Sequence, residues 1–133
     1  MRFLRFGPLV IFLLAALCIA AQNYNYVPDP NWKAPPKATE RRNPLKGNRA
    51  AVRTGHDIFE DQCSMCHGSD GQGLNRAGNF HKPAVQAQSD GTLFWKMTNG
   101  HVEKGMPSFN ALPEADRWSL VDYLRTFNPN KKK

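Results

Sequence analysis

Cys63-Ser64-Met65-Cys66-His67 is the segment of this 133-residue chain whose residue types and spacing could do chemistry. C-x-x-C-H is the attachment sequence for c-type haem: both thiols add to porphyrin vinyl groups, and the adjacent histidine is held under the iron. Two intervening residues let both sulfurs leave the same side of one helical turn, matching two vinyls on one edge of a rigid ring. The next residue then points its imidazole at the metal. A thioredoxin-like C-x-x-C belongs in a β-containing fold, and no alternating apolar runs bounded by hairpin turns are visible here. Zinc would need four tetrahedral ligands, from Cys63, Cys66 and two of His67, His81 and His101. The spacings of 14 and 34 residues from His67 match no finger pattern. A disulfide across two residues closes too small a loop to stabilise a domain much.

An iron held by His67 from one side raises the question of what fills the other. Met97, Met106, His81, His101 and an open position are the candidates. Sulfur opposite histidine raises the potential of haem iron relative to a second nitrogen. Met97 shares a helical face with Leu93 and Phe94, which reads as core packing, and Met65 lies inside the attachment turn itself. Met106 sits in Gly105-Met106-Pro107-Ser108, where glycine permits close backbone approach and proline rigidifies the loop. Met106 is therefore the expected second ligand, with His101 and His81 as polar or exposed residues.

The elements that must position these groups read as helices. Ala50–Gln62 carries Val52, Ile58 and Phe59 near helical spacing around Gly55 and feeds directly into Cys63. A second helix is expected with Asp90 as its N-cap, Leu93, Phe94 and Met97 on one side, and Asn99-Gly100 as its stop. A third starts at Pro113 and runs to Phe127, with Leu120, Val121, Leu124 and Phe127 as its apolar stripe. The class is all-α with long loops.

The ends of the chain have other characters. Arg2 and Arg5 precede the uncharged run Pro8–Ala21, too short to span a bilayer at roughly 20 residues and closed by Ala20-Ala21. Residues 1–21 are expected to be a secretory signal, which makes the protein exported and periplasmic. An uncleaved anchor, or a lipid on Cys18, is the lesser alternative, since bulky Leu17 precedes that cysteine. Without the signal only Cys63 and Cys66 remain. Residues 22–49 read as a proline-rich basic extended arm of polyproline-like or irregular chain, and with helix residues up to 53 the stretch carries a net charge of +5. Its ordinary reading is a solvated tether; a sharper one is docking on an acidic partner or an anionic membrane surface. Tyr24, Tyr26 and Trp32 suggest that it packs on something. Residues 50–128 form the folded domain and 129–133 a basic tail. Net charge over 54–130 is −3, so the overall +7 is peripheral, which argues against a nucleic-acid partner. No G-x-x-x-x-G-K-[ST] or G-x-G-x-x-G loop is present, which argues against a nucleotide enzyme. A domain this small needs a staple beyond its own core, and a covalently held macrocycle would supply one.

Together, Gly55-x-x-x-Phe59-x-x-x-Cys63-Ser-Met-Cys66-His67-Gly68, Asp70-Gly71-x-Gly73, Asp90–Gly100, Gly105-Met-Pro-Ser-Phe109 and Trp118-x-x-Val121-x-Tyr123-Leu124-Arg125 resemble a class I mono-haem cytochrome c over residues 50–128. The resemblance implies the cytochrome c fold, three to five short helices wrapped around one haem c. Cys63 and Cys66 would then be thioether attachments, and His67 and Met106 the iron ligands. It implies that the first and last helices cross at Gly55 and Phe59 against Val121, Tyr123 and Leu124. A backbone carbonyl, usually from a proline, would orient the proximal histidine, and Pro83 is the nearest proline after the attachment turn. Trp95 is expected either to reach a haem propionate or to pack in the core. The function implied is single-electron transfer without catalysis, by a protein that is monomeric when free. Its partners would be redox proteins, a dehydrogenase donor and an oxidase or other acceptor. The alternative is a haem subunit permanently docked in a dehydrogenase or respiratory complex.

Overall fold

A computed structural model describes residues 26–74 and 77–131. The stretch expected to be a signal, with Cys18, and Tyr24 of the arm lie outside those residues. Among the described residues six α-helices follow one another: α1 (Pro36–Thr39), α2 (Arg49–Gln62), α3 (Ser64–His67), α4 (Pro83–Gln86), α5 (Asp90–Asn99) and α6 (Glu114–Leu124). Short 3-10 turns occupy Val102–Lys104 and Arg125–Phe127. Among the described residues there is no strand, and one isolated backbone bridge joins His101 to Met106. No helix among them is long and apolar enough to cross a membrane.

Three helices carry the architecture. The Asn48 side chain starts α2 by accepting from the free N–H groups of Ala50 and Ala51, satisfying donors that the first turn leaves unpaired. Ala51, Gly55 and Phe59 recur every fourth residue and bury one stripe of α2. That stripe meets α6, where Trp118, Leu120, Val121 and Leu124 are buried. At the crossing a Cβ on Gly55 would lie 2.1 Å from the Ser119 carbonyl oxygen, so only glycine lets the two backbones approach this closely. Helix α5 is capped by the Ser89 hydroxyl, which accepts from Thr92 N–H at 3.1 Å. The cap is Ser89 and not Asp90, which instead opens the first turn, where its charge faces the positive end of the helix dipole.

The core gathers Phe59 from α2, Leu93, Phe94 and Met97 from α5, and Trp118, Leu120, Val121 and Leu124 from α6. Phe94 stacks on Trp118 with centroids 3.9 Å apart. Each such side chain contributes about 1.5–3 kcal/mol on burial. Met97 belongs to this core, as its helical neighbours imply.

The described part of the basic arm lies along the helices instead of trailing into solvent. The Arg41 guanidinium sits 4.6 Å from the Phe94 ring centroid and 5.1 Å from that of Trp118, and it bonds the Glu114 carboxylate at 2.5 Å. The Trp118 indole N–H and Arg41 together hold the Glu114 carboxyl below the usual carboxylate range. Asn43 is buried and donates to the Trp118 carbonyl at 3.0 Å. Gly47 N–H donates to Asp122 at 3.0 Å. Each of these contacts ties the arm to α6 with a specific polar partner, which periodicity could not reveal.

Candidate haem site

The attachment turn grows directly out of α2. Cys63 N–H donates to the Phe59 carbonyl at 2.9 Å, closing the last bond of α2, and His67 N–H donates to the Cys63 carbonyl at 2.9 Å, closing the single turn of α3. Both cysteines are free thiols, Cys63 half-buried and Cys66 exposed. Burial, with Cys66 alongside, pushes the Cys63 thiol up to about 12.

Downstream of α3 the chain folds back on the turn. Gly73 N–H donates to the His67 carbonyl at 2.8 Å, and Leu74 N–H to the Cys66 carbonyl at 2.9 Å. Gly68 at φ +73° and Gly73 at φ +84° make the reversals, in a region that side chains disfavour. The return brings the Gly78 carbonyl to 3.0 Å from His67 Nδ1. Nδ1–H therefore donates to Gly78, and the Nε2 lone pair is left without a hydrogen-bond partner among the described residues. Burial holds the imidazole's affinity for a second proton below its ordinary range, and the Gly78 bond works the other way without cancelling it. A neutral ring with one nitrogen committed and the other free is what a metal ligand requires. Phe80 walls the ring, its centroid 4.6 Å from that of His67.

Pro83, the nearest proline, does not supply this carbonyl. It begins α4, and its carbonyl is taken by Ala87 N–H at 2.8 Å. A backbone acceptor can come from any residue, so nothing in the side-chain sequence marks Gly78.

The Met106 loop is braced at its base. His101 N–H donates to the Met106 carbonyl at 2.8 Å, and Met106 N–H to the His101 carbonyl at 3.1 Å. Between them the chain makes the Val102–Lys104 turn and reverses at Gly105, φ +91°. Gly100, φ +68°, ends α5 where a Cβ would lie 2.4 Å from the Pro107 carbonyl oxygen. The Ser108 hydroxyl donates to the Thr98 carbonyl at 2.6 Å, and Phe109 N–H to the Met97 carbonyl at 3.3 Å, fastening the far side of the loop to α5. Met106 is half-buried. The other candidates are engaged elsewhere. His101 stacks on Trp32 at 4.8 Å, and its Nε2 lies 3.3 Å from Asp29 Oδ2. His81 Nε2 bonds the Asp70 carbonyl at 2.7 Å. Trp95 is half-buried and lines a small surface cavity of about 140 Å³ beside Arg41, Phe94 and Arg117.

Among the described residues no three His, Cys, Asp or Glu side chains gather to hold a bare metal ion, so the zinc arrangement is not assembled. The donor set suits haem c instead: two free thiols two residues apart, an imidazole with Nε2 uncommitted, and a thioether on a braced loop.

Residues 50–124 match the family described as cytochrome c oxidase, cbb3-type, subunit III. The chain belongs to this family. It is a c-type cytochrome domain, an electron-carrying module, and its cofactor is haem c. The chain is similar to the thiosulfate dehydrogenase of Stutzerimonas stutzeri (strain A1501), 26% identical over 82 residues that cover 56% of this chain and 27% of that protein. It thus spans about a quarter of the length of that curated relative. Among solved structures, cytochrome CL from Methylophaga aminisulfidivorans MPT superposes with a TM-score of 0.56 at 20% identity, covering 64% of this chain and 58% of the other. The KustC0563 c-type cytochrome gives a TM-score of 0.51 at 28% identity, covering 56% of this chain and 96% of the other. The helical fold expected of a cytochrome c is the fold of these neighbours.

Proposed function

We propose that this c-type cytochrome is a single-electron carrier and not itself an enzyme, exported to the bacterial periplasm, with His67 and Met106 as the two iron ligands. Haem c supplies a ferrous–ferric couple that takes up and gives back one electron. The chain's residues do the holding. Cys63 and Cys66 would fix the ring through thioethers from one helical turn. Gly78 holds the His67 Nδ1–H, which orients the imidazole and makes Nε2 a better donor. The braced loop offers the Met106 sulfur from a separate element. The observation that carries the reading is this pairing of an oriented histidine with a methionine whose loop is hydrogen-bonded at its base. With both His67 and Met106 bound, the iron would have no open position for a substrate, which favours electron transfer over catalysis.

The test is a visible and near-infrared spectrum of the mature holoprotein and of Met106→Ala. Covalent haem with a ferric sulfur-to-iron charge-transfer band that vanishes in Met106→Ala is the expected result. Covalent haem without that band in the wild type, or stoichiometric carbon monoxide binding by the native ferrous protein, would refute the ligand pair.

A second reading, a haem subunit permanently docked in a larger redox assembly, is favoured by one observation: the chain matches a quarter of a thiosulfate dehydrogenase and a family described by an oxidase subunit. Gel filtration of native extract separates the two. Elution as a small monomer supports the free carrier, and comigration with a larger haem-staining species supports the subunit.

A further inference from the structure

Residues 26–32 of the arm touch the supports of both proposed ligands. At one end Tyr26 covers Gly78, whose carbonyl holds His67: a Cβ on that glycine would lie 3.3 Å from two Tyr26 ring carbons. At the other end Trp32 sits on the base of the Met106 loop. Its indole N–H donates to the Gly100 carbonyl at 3.2 Å, and its ring stacks on His101. The Lys96 ammonium lies 4.6 Å from the centroid of the same indole. Between these ends, Asp29 reaches His101 Nε2.

His101 is the residue whose backbone pairs with Met106 through two hydrogen bonds. Moving the Met106 backbone, and with it the point from which its side chain reaches the iron, therefore demands one of two things. Either the backbone pair breaks, or His101 travels with it and leaves the Trp32 ring and the Asp29 carboxylate. We infer that Trp32, assisted by Asp29, is a positioning residue for the Met106 ligand, and that the arm acts as a strap which holds the ligand loop shut. This rests on Met106 being the ligand. The sequence resemblance covers residues 50–128, so the strap lies outside the part of the chain that it accounts for.

An exogenous ligand binds ferric haem only when the methionine has left, so its apparent affinity scales with the open fraction of the loop. Imidazole is the probe. We would titrate it into the ferric holoprotein as wild type, Trp32→Ala, Trp32→Phe, Asp29→Asn and Asn43→Ala. The last variant cuts an arm contact to α6 that is remote from the ligand loop. Apparent imidazole affinity should rise about tenfold or more in Trp32→Ala. Trp32→Phe, which keeps a stacking ring but loses the N–H bond, should fall in between. Asn43→Ala should lower the melting temperature and leave imidazole affinity at the wild-type value. The sulfur-to-iron band should fade at a lower temperature in Trp32→Ala than in wild type, before the helical signal is lost.

Imidazole affinity in Trp32→Ala equal to wild type, or matched by Asn43→Ala, would overturn the strap. If Trp32→Ala yields no holoprotein, Trp32→Phe and Asp29→Asn decide, and wild-type affinity in both would overturn it equally. A wild type that lacks the sulfur-to-iron band sinks the Met106 assignment instead, so the two failures are told apart by the first spectrum.

Discussion

Replacing Gly55 by alanine sets two effects of opposite sign against each other. Gly55 lies in the interior of α2, where alanine is the better helix former by about 1 kcal/mol. On propensity alone the variant is stabilised. The crossing says otherwise, because the added Cβ would lie 2.1 Å from the Ser119 carbonyl oxygen, 2.6 Å from the Ser119 carbonyl carbon and 2.9 Å from Tyr123 Cβ. The first two are backbone atoms of α6, so no rotamer change relieves them and the helices must part by about 1.3 Å or more to reach ordinary contact. A gap of that size forfeits roughly half or more of the dispersion energy of each facing atom pair. Phe59 and Val121, both fully buried, are among the residues that would feel it. Overpacking costs about 1–3 kcal/mol and occasionally more; here, with two backbones in contact, the net loss after the propensity gain is about 2 kcal/mol, or about 10 °C in melting temperature for a domain of this size. Thermal unfolding of the holoprotein followed by far-ultraviolet circular dichroism measures it, with exposed Thr54→Ala on the same helix as the reference. A Gly55→Ala melting temperature at or above wild type would refute the reasoning and return the decision to helix propensity.

Two other substitutions test the packing and charge around the site. Arg125 bonds the Asp90 carboxylate at 2.8 Å and the carbonyls of Gln86 and Gln88 at 2.8 and 2.5 Å, so it ties α4 and the start of α5 to the end of α6. Lysine keeps the charge but not the fork, and Arg125→Lys should cost about 2 kcal/mol; a melting temperature within about 2 °C of wild type would show that the fork is dispensable. Burial pushes the Asp122 carboxyl above its ordinary value, partly offset by the Gly47 N–H. A raised folded value means that the native state binds the proton more tightly than the unfolded chain. Stability therefore falls as pH rises from the ordinary carboxylate value through the raised one, and Asp122→Asn should flatten that stretch of the stability–pH curve while still accepting from Gly47. An unchanged slope in the variant would assign the pH dependence to other groups.

The attachment turn and the three long helices were legible because their signals are local. Two thiols and an imidazole at fixed spacing can be read without neighbours, and an apolar stripe such as Leu93, Phe94 and Met97 declares its own face. Met106, the proposed second ligand, was singled out by the glycine and proline of its loop, which are local as well. What escaped has a different physical basis. Gly78 serves through its carbonyl, which every residue possesses. Ser89 and Asp90 are both good N-caps, and only backbone geometry selects between them. The arm lacks periodicity because its contacts are single residues that each find a distant partner, as Trp32 finds Gly100 and Asn43 finds Trp118. Its aromatic residues hinted at packing but not at the surface on which they pack.

Arg41, Asn43 and Gly47 reach α6 across 73 to 75 residues of intervening chain. A polypeptide is made from its N-terminus, so the arm is finished long before the helix that receives it exists. The attachment turn at 63–67 lies between the two in sequence and is complete before the final helix is made. Closing so long a loop also carries an entropic cost, which delays such contacts relative to local ones. The arm is thus first in synthesis and late in assembly. Until both contacts form, the core face of α5, including Phe94, lacks its α6 and its arm cover.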